Sequence, residues 1–106
     1  MGTSALGGNI VAMGVASVTI DPASVATITT AEQTFTVPGL LTTDLVWVNK
    51  PSLTAGLGVA GARVSAANTL AITFVNPTAG AIDAGSEVWR VLWIRAEGVA
   101  PGGATA

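Results

Sequence analysis

Residues 69–76 read Thr-Leu-Ala-Ile-Thr-Phe-Val-Asn, so that Leu70, Ile72 and Phe74 share one side of an extended chain and Thr69, Ala71, Thr73 and Val75 share the other. That period of two recurs along the sequence, broken by turn-forming residues at intervals of roughly ten. No stretch keeps the 3.6-residue period of a helix, and this exclusion restricts the fold more than any other feature. The segment 53–60 is the one place where a helix is conceivable, and its glycines oppose it.

The remaining strands follow the same reading. Ala16, Val18 and Ile20 alternate with Ser17 and Thr19 before Asp21-Pro22 breaks the run, because proline fixes φ and lacks an N–H. Residues 24–30 are rich in β-branched side chains and predict a strand. Residues 32–37 alternate again and stop at Pro38-Gly39. In residues 44–49, Leu45, Trp47 and Asn49 face one way and Val46 and Val48 the other. Residues 59–64 predict a strand in which Gly61 marks a bulge. Residues 87–96 place Val88, Arg90, Leu92 and Ile94 on one face and Trp89, Val91, Trp93 and Arg95 on the other. Both faces of this last strand are apolar, which predicts that a loop or another subunit covers the second one.

Seven or eight short strands with turns between them predict an all-β protein: a single small β-sandwich, jelly-roll or Greek-key-like, with an extended N-terminal arm. The expected division is an arm over residues 1–14, the sandwich over 15–97 and a loose tail over 98–106. Residues 1–20 lack charge, but glycine and polar residues interrupt the apolar run. They fit neither a signal peptide nor a membrane-spanning helix.

With 106 residues the chain suits one domain. Half of its residues are apolar and only 9% are charged, against about 25% in an ordinary soluble domain. Such sparse charge predicts that much of the surface faces other protein chains. Thr, Ser and Asn on the exposed faces are the alternative source of polarity. The four cations, Lys50, Arg63, Arg90 and Arg95, are scattered and the net charge is −2, which argues against nucleic acid and anionic membrane as partners.

The side chains of common catalysis are scarce. The chain has no histidine, cysteine or tyrosine, which removes the usual general base, the thiolate nucleophile and most zinc ligands. The carboxylates Asp21, Glu32, Asp44, Asp83, Glu87 and Glu97 share no motif and fall in turns or at strand ends. Gly56, Gly58 and Gly61 spell G-x-G-x-x-G, but a dinucleotide site needs that motif between a strand and a helix. The expectation is therefore a non-enzymatic protein without cofactor or metal. Trp47, Trp89 and Trp93 are readable as core, as subunit-interface anchors or as a sugar-stacking platform. Arg63, Arg90 and Arg95 are readable as solvated, or as partners of Asp44, Glu87 or Glu97 across subunit contacts. These three tryptophans and three arginines are the candidate interface residues.

Several phrases carry a resemblance. Residues 31–37 (Ala-Glu-Gln-Thr-Phe-Thr-Val), 45–52 (Leu-Val-Trp-Val-Asn-Lys-Pro-Ser), 61–74 (Gly-Ala-Arg-Val-Ser-Ala-Ala-Asn-Thr-Leu-Ala-Ile-Thr-Phe) and 90–95 (Arg-Val-Leu-Trp-Ile-Arg) resemble small structural proteins of tailed bacteriophages, of the kind assigned to heads or fibres. The resemblance covers about two thirds of the chain and excludes residues 1–30. It implies a virion component made in the bacterial cytoplasm and placed on the capsid surface. There it would decorate or cement the head by bridging major capsid subunits, as a homo-oligomer for which a trimer is one form. A fibre component that binds a receptor or carbohydrate is the alternative. No site residue carries over from the resemblance.

Overall fold

The computed structural model describes residues 9–97, and the expected C-terminal tail and most of the expected arm lie outside them. Six strands form: β1 (Ile10–Ile20), β2 (Thr29–Thr36), β3 (Leu45–Asn49), β4 (Gly58–Ala66), β5 (Thr69–Asn76) and β6 (Glu87–Ala96). They make two three-stranded antiparallel sheets, ordered β1-β6-β3 and β2-β5-β4. No helix occurs among the described residues. The chain changes sheet at every connection except the β4–β5 hairpin. The pairs are nested: β1 with β6, β2 with β5, and β3 beside β4 where the two sheets meet at one side.

The core lies between the sheets. From one sheet come Ile20, Val46, Trp89 and Val91; from the other come Val64, Leu70, Ile72 and Phe74, all buried. Trp89 and Phe74 meet edge to face, with centroids 5.9 Å apart and planes at 73°, a geometry favoured by the ring quadrupoles. Only the odd-numbered face of β6 points inward, so the even-numbered face is the outer one.

Two polar clips close the ends of the sandwich. At one end the two-residue β4–β5 turn holds Asn68 at φ 63°, a left-handed conformation that asparagine tolerates better than most residues. The Asn68 backbone N–H donates to the Leu40 carbonyl at 2.8 Å, while its Oδ1 accepts from the Gly39 N–H at 2.7 Å. The hairpin tip is thereby tied to the β2–β3 connection. At the other end Asn76 is fully buried. Its Nδ2 lies 2.9–3.2 Å from the carbonyls of Val25, Ala26 and Gly80, and its Oδ1 accepts from the Thr78 N–H and hydroxyl. One side chain thus satisfies the backbone of two connections whose groups no strand pairs.

Two expectations are corrected. Residues 24–30 are not a separate strand: Thr29 and Thr30 open β2, and residues 24–28 carry the chain from one sheet to the other, with one isolated bridge, Val25 to Ile82. Asn76 takes the carbonyls a ladder would use, and Ile28 sits at φ 47°. Residues Ile10–Gly14, expected in the arm, belong to β1 and pair with the far end of β6. Small residues permit that pairing. A Cβ on Gly14 would lie 3.0 Å from Cζ2 of Trp93, so the indole packs directly over the glycine backbone.

Replacing Trp89 by Ala will lower the unfolding free energy by about 3–5 kcal/mol, measured by chemical denaturation. Trp89→Phe will cost markedly less, because the indole Nε1 is buried without a hydrogen-bond partner and phenylalanine removes that donor. Asn76→Asp will destabilise far more than Asn76→Ser, since it turns a carboxylate toward three carbonyl oxygens.

Candidate interaction surface

The two outer faces of the sandwich differ in chemistry. On the β2-β5-β4 sheet, Thr30, Glu32, Thr34 and Thr36 of β2 stand outward with Thr73 of β5 and Arg63 of β4. Arg63 reaches across β5 and binds Glu32 through two hydrogen bonds of 2.8 and 2.9 Å, roofing over Ala71. This face is polar, and its ion pair is internal to the chain.

The outer face of the β1-β6-β3 sheet is apolar. Register places Val15, Leu92 and Trp47 in one row across the three strands, and Met13, Ile94 and Leu45 in the next. Val15 is 62% exposed, Leu45 57% and Trp47 53%. Val11 extends the patch along β1, and Val88 stands exposed on β6 one row beyond Arg90. A polar row of Ser17, Arg90 and Asn49 borders it. A groove of about 360 Å³ runs between Val15, Leu92 and Trp47 with Arg90 and Asn49 at its rim. No described segment of the chain covers this face. The patch joins two complete cross-strand rows, whereas monomers expose large apolar side chains mainly singly.

Of the candidate residues, the fold brings only Trp47 and Arg90 to this surface. Trp89 is core. Trp93 points inward, half-buried over Gly14. Arg63 and Arg95 pair with carboxylates of their own chain, Glu32 and Asp44. Arg95 binds Asp44 at 2.7 and 2.8 Å, donates to the Gly39 carbonyl at 2.9 Å and lies over the Trp93 ring at 5.4 Å. Glu87 binds Lys50 at 2.7 Å and accepts from the Ser52 hydroxyl. Pairing through residues 31 to 51 apart in sequence satisfies these charges locally, where fixed geometry and partial burial hold them. Arg90 has no carboxylate partner among the described residues. Sequence reasoning missed Leu45, Val15, Met13 and Val88 as surface residues; the uncharged run from Ile10 onward was the available signal.

Among the described residues no three of Asp, Glu, His or Cys converge as metal ligands would. Gly58 and Gly61 of the G-x-G-x-x-G match lie inside β4, and no helix follows them. No helix among the described residues is long and apolar enough to cross a membrane. Comparison with protein-family models, with curated proteins and with solved structures finds no match to this chain.

The Asp44–Arg95 clip gives a pH prediction. Asp44 is buried, and the hydrogen bonds from Arg95 hold its carboxyl below the ordinary value against the opposing effect of burial; the Leu41 N–H assists. A carboxyl with a lower pKa when folded stabilises the fold above its unfolded pKa, and that contribution is lost as pH falls through the folded value. Glu32 and Glu87 are lowered in the same direction by Arg63 and by Lys50. The unfolding free energy will therefore hold steady at neutral pH and fall below about pH 4. Asp44→Asn will lower the neutral plateau and flatten the acid limb, as read from denaturation midpoints between pH 2 and pH 7.

Proposed function

We propose that this chain is a non-enzymatic structural protein of a phage virion, a decoration or cement protein that stabilises the head by bridging major capsid subunits. The observation that carries the proposal is the two-row apolar face of the β1-β6-β3 sheet, left open opposite the polar, ion-paired outer face of the β2-β5-β4 sheet. Burying such a face against capsid protein releases water from apolar surface, and association costs offset part of the gain. Many symmetry-related copies on a shell restore strength through avidity. The sequence phrases that resemble phage head and fibre proteins supply the virion setting. The nested pairing of β1 with β6 and β2 with β5, with β3 beside β4, supports a reduced jelly roll, the order obtained by rolling up one long antiparallel ribbon.

A second reading has its own observation. Trp47 forms one wall of a groove that ends in Arg90 and Asn49, a stacking ring beside hydrogen-bond donors. A fibre module that binds carbohydrate would use such a platform. Tryptophan fluorescence that shifts with a host glycan in the wild type, and not in Trp47→Ala, would favour this reading.

The deciding experiment places a photo-reactive phenylalanine derivative at Trp47 in particles of the phage that encodes the chain. An amine-directed reagent would be a poor choice, because Lys50 is the only lysine and is held by Glu87. Cross-linking to the major capsid protein is the expected result. Absence of the chain from purified particles, or cross-links confined to fibre components, would reject the capsid role. Trp47→Ala will weaken binding to heads by roughly tenfold to thirtyfold, the effect of losing a central aromatic anchor.

A further inference from the structure

A β-sandwich of two open sheets has four free strand edges, and each is a template for another chain unless something blocks it. Three of the four carry a recognised block. The edge strand β3 is only five residues long and runs into Lys50-Pro51. The edge strand β4 is interrupted by two bulges, at Val59–Gly61 and at Val64–Ala66. The edge strand β2 carries Glu32, and Gln33 grips the backbone of Ala23 from the β1–β2 connection through hydrogen bonds of 2.8 and 2.9 Å.

The fourth edge differs. β1 spans eleven residues, Ile10–Ile20, with no charged residue and no proline. It pairs with β6 on one side. Among the described residues no backbone hydrogen bond reaches its other side. Its single irregularity in pairing lies near one end, between Ile10 and Ala12. Its outward side chains, Val11, Met13 and Val15, are exposed and apolar, while the inward ones at the same level, Ala12, Gly14 and Ala16, are small. A long, uncharged edge with small inward side chains leaves a neighbouring strand free to approach.

We propose that β1 pairs with β1 of a second copy of this chain, antiparallel and about a two-fold axis, joining two β1-β6-β3 sheets into one six-stranded sheet. The occupant is a second copy because antiparallel strands related by a two-fold axis present the same groups to each other, so one strand supplies both halves of the ladder. The register centres on Gly14. It sets Met13 opposite Val15 of the other copy and Ala12 opposite Ala16 of the other copy, so apolar pairs face each other outside and small pairs face each other inside. The two apolar outer faces then merge into one continuous surface flanked by the two Trp47 rings. This assembly stands independently of the capsid reading, which concerns what that surface meets.

Light scattering across a dilution series, with paired charge variants, tests the pairing. The wild type is expected at twice the chain mass. Met13→Lys with Val15→Lys in one chain places like charges opposite each other and will give a monomer with an unchanged circular dichroism spectrum. Met13→Lys with Val15→Glu places opposite charges across the same seam and will restore the dimer, which a variant that merely misfolds would not do. Trp47→Asp, on the outer face and away from the edge, will leave the mass unchanged. A monomeric or trimeric wild type, a dimer that survives the Lys/Lys variant, or a dimer that Trp47→Asp dissolves would overturn the proposal. None of these outcomes depends on capsid protein, so failure here and failure of the proposed function are separately read.

Discussion

Trp89 and Phe74 meet where the middle strands of the two sheets, β6 and β5, lie over one another. Both rings are fully buried in a core drawn from β1, β3, β4, β5 and β6, with Ala31 and Phe35 of β2 packed against it. Once Trp89 is directed inward, the alternation of β6 fixes the rest. Val91 joins the core, and Trp93 reaches Gly14. Arg95 then comes over Trp93 and onto Asp44, while Leu92 and Ile94 are turned outward. The apolar outer face is thus a consequence of where the central tryptophan goes. A strand with apolar residues on both faces can bury only one of them against its own second sheet.

The outer faces of the two sheets differ in polarity. Threonines and the Glu32–Arg63 pair hydrate the outside of the β2-β5-β4 sheet. The opposite face has Ser17, Arg90 and Asn49 as a polar border, with Thr19 beyond it. Three of the four cations are spent inside the chain, on Glu32, Asp44 and Glu87. An exposed ion pair adds little to stability. The Asp44–Arg95 pair is different, because it ties the β2–β3 connection to the end of β6 and a buried carboxylate depends on it.

The described residues present two distinct features, an open strand edge at β1 and an apolar face on the β1-β6-β3 sheet. Strand edges and sheet faces bind by different physics. An edge offers directional backbone hydrogen bonds and fixes register, while a face offers non-directional apolar burial. A molecule with one of each can build a defined unit through the edge and attach that unit through the face.

The sequence by itself determined the all-β class, the turns, the strands β3, β5 and β6, and the side of each on which a given residue stands, because period two follows from the pleat alone. It also determined that the usual catalytic side chains are missing. It did not decide which face of β6 points inward, since both are apolar and alternation carries no sign. Nor did it reveal that Ile10–Gly14 is strand: glycine and alanine there lower strand propensity, and only the pairing with β6 and the ring of Trp93 over Gly14 hold the segment extended. Residues 24–30 have strand-forming composition, yet only Thr29 and Thr30 join a strand; the chain crosses between sheets before them, and buried Asn76, some fifty residues away, claims the Val25 and Ala26 carbonyls. The candidate surface was legible only in Trp47 and Arg90. The rows that make it a surface join β1, β6 and β3, residues far apart in sequence whose neighbourhood exists only after the sheets have formed.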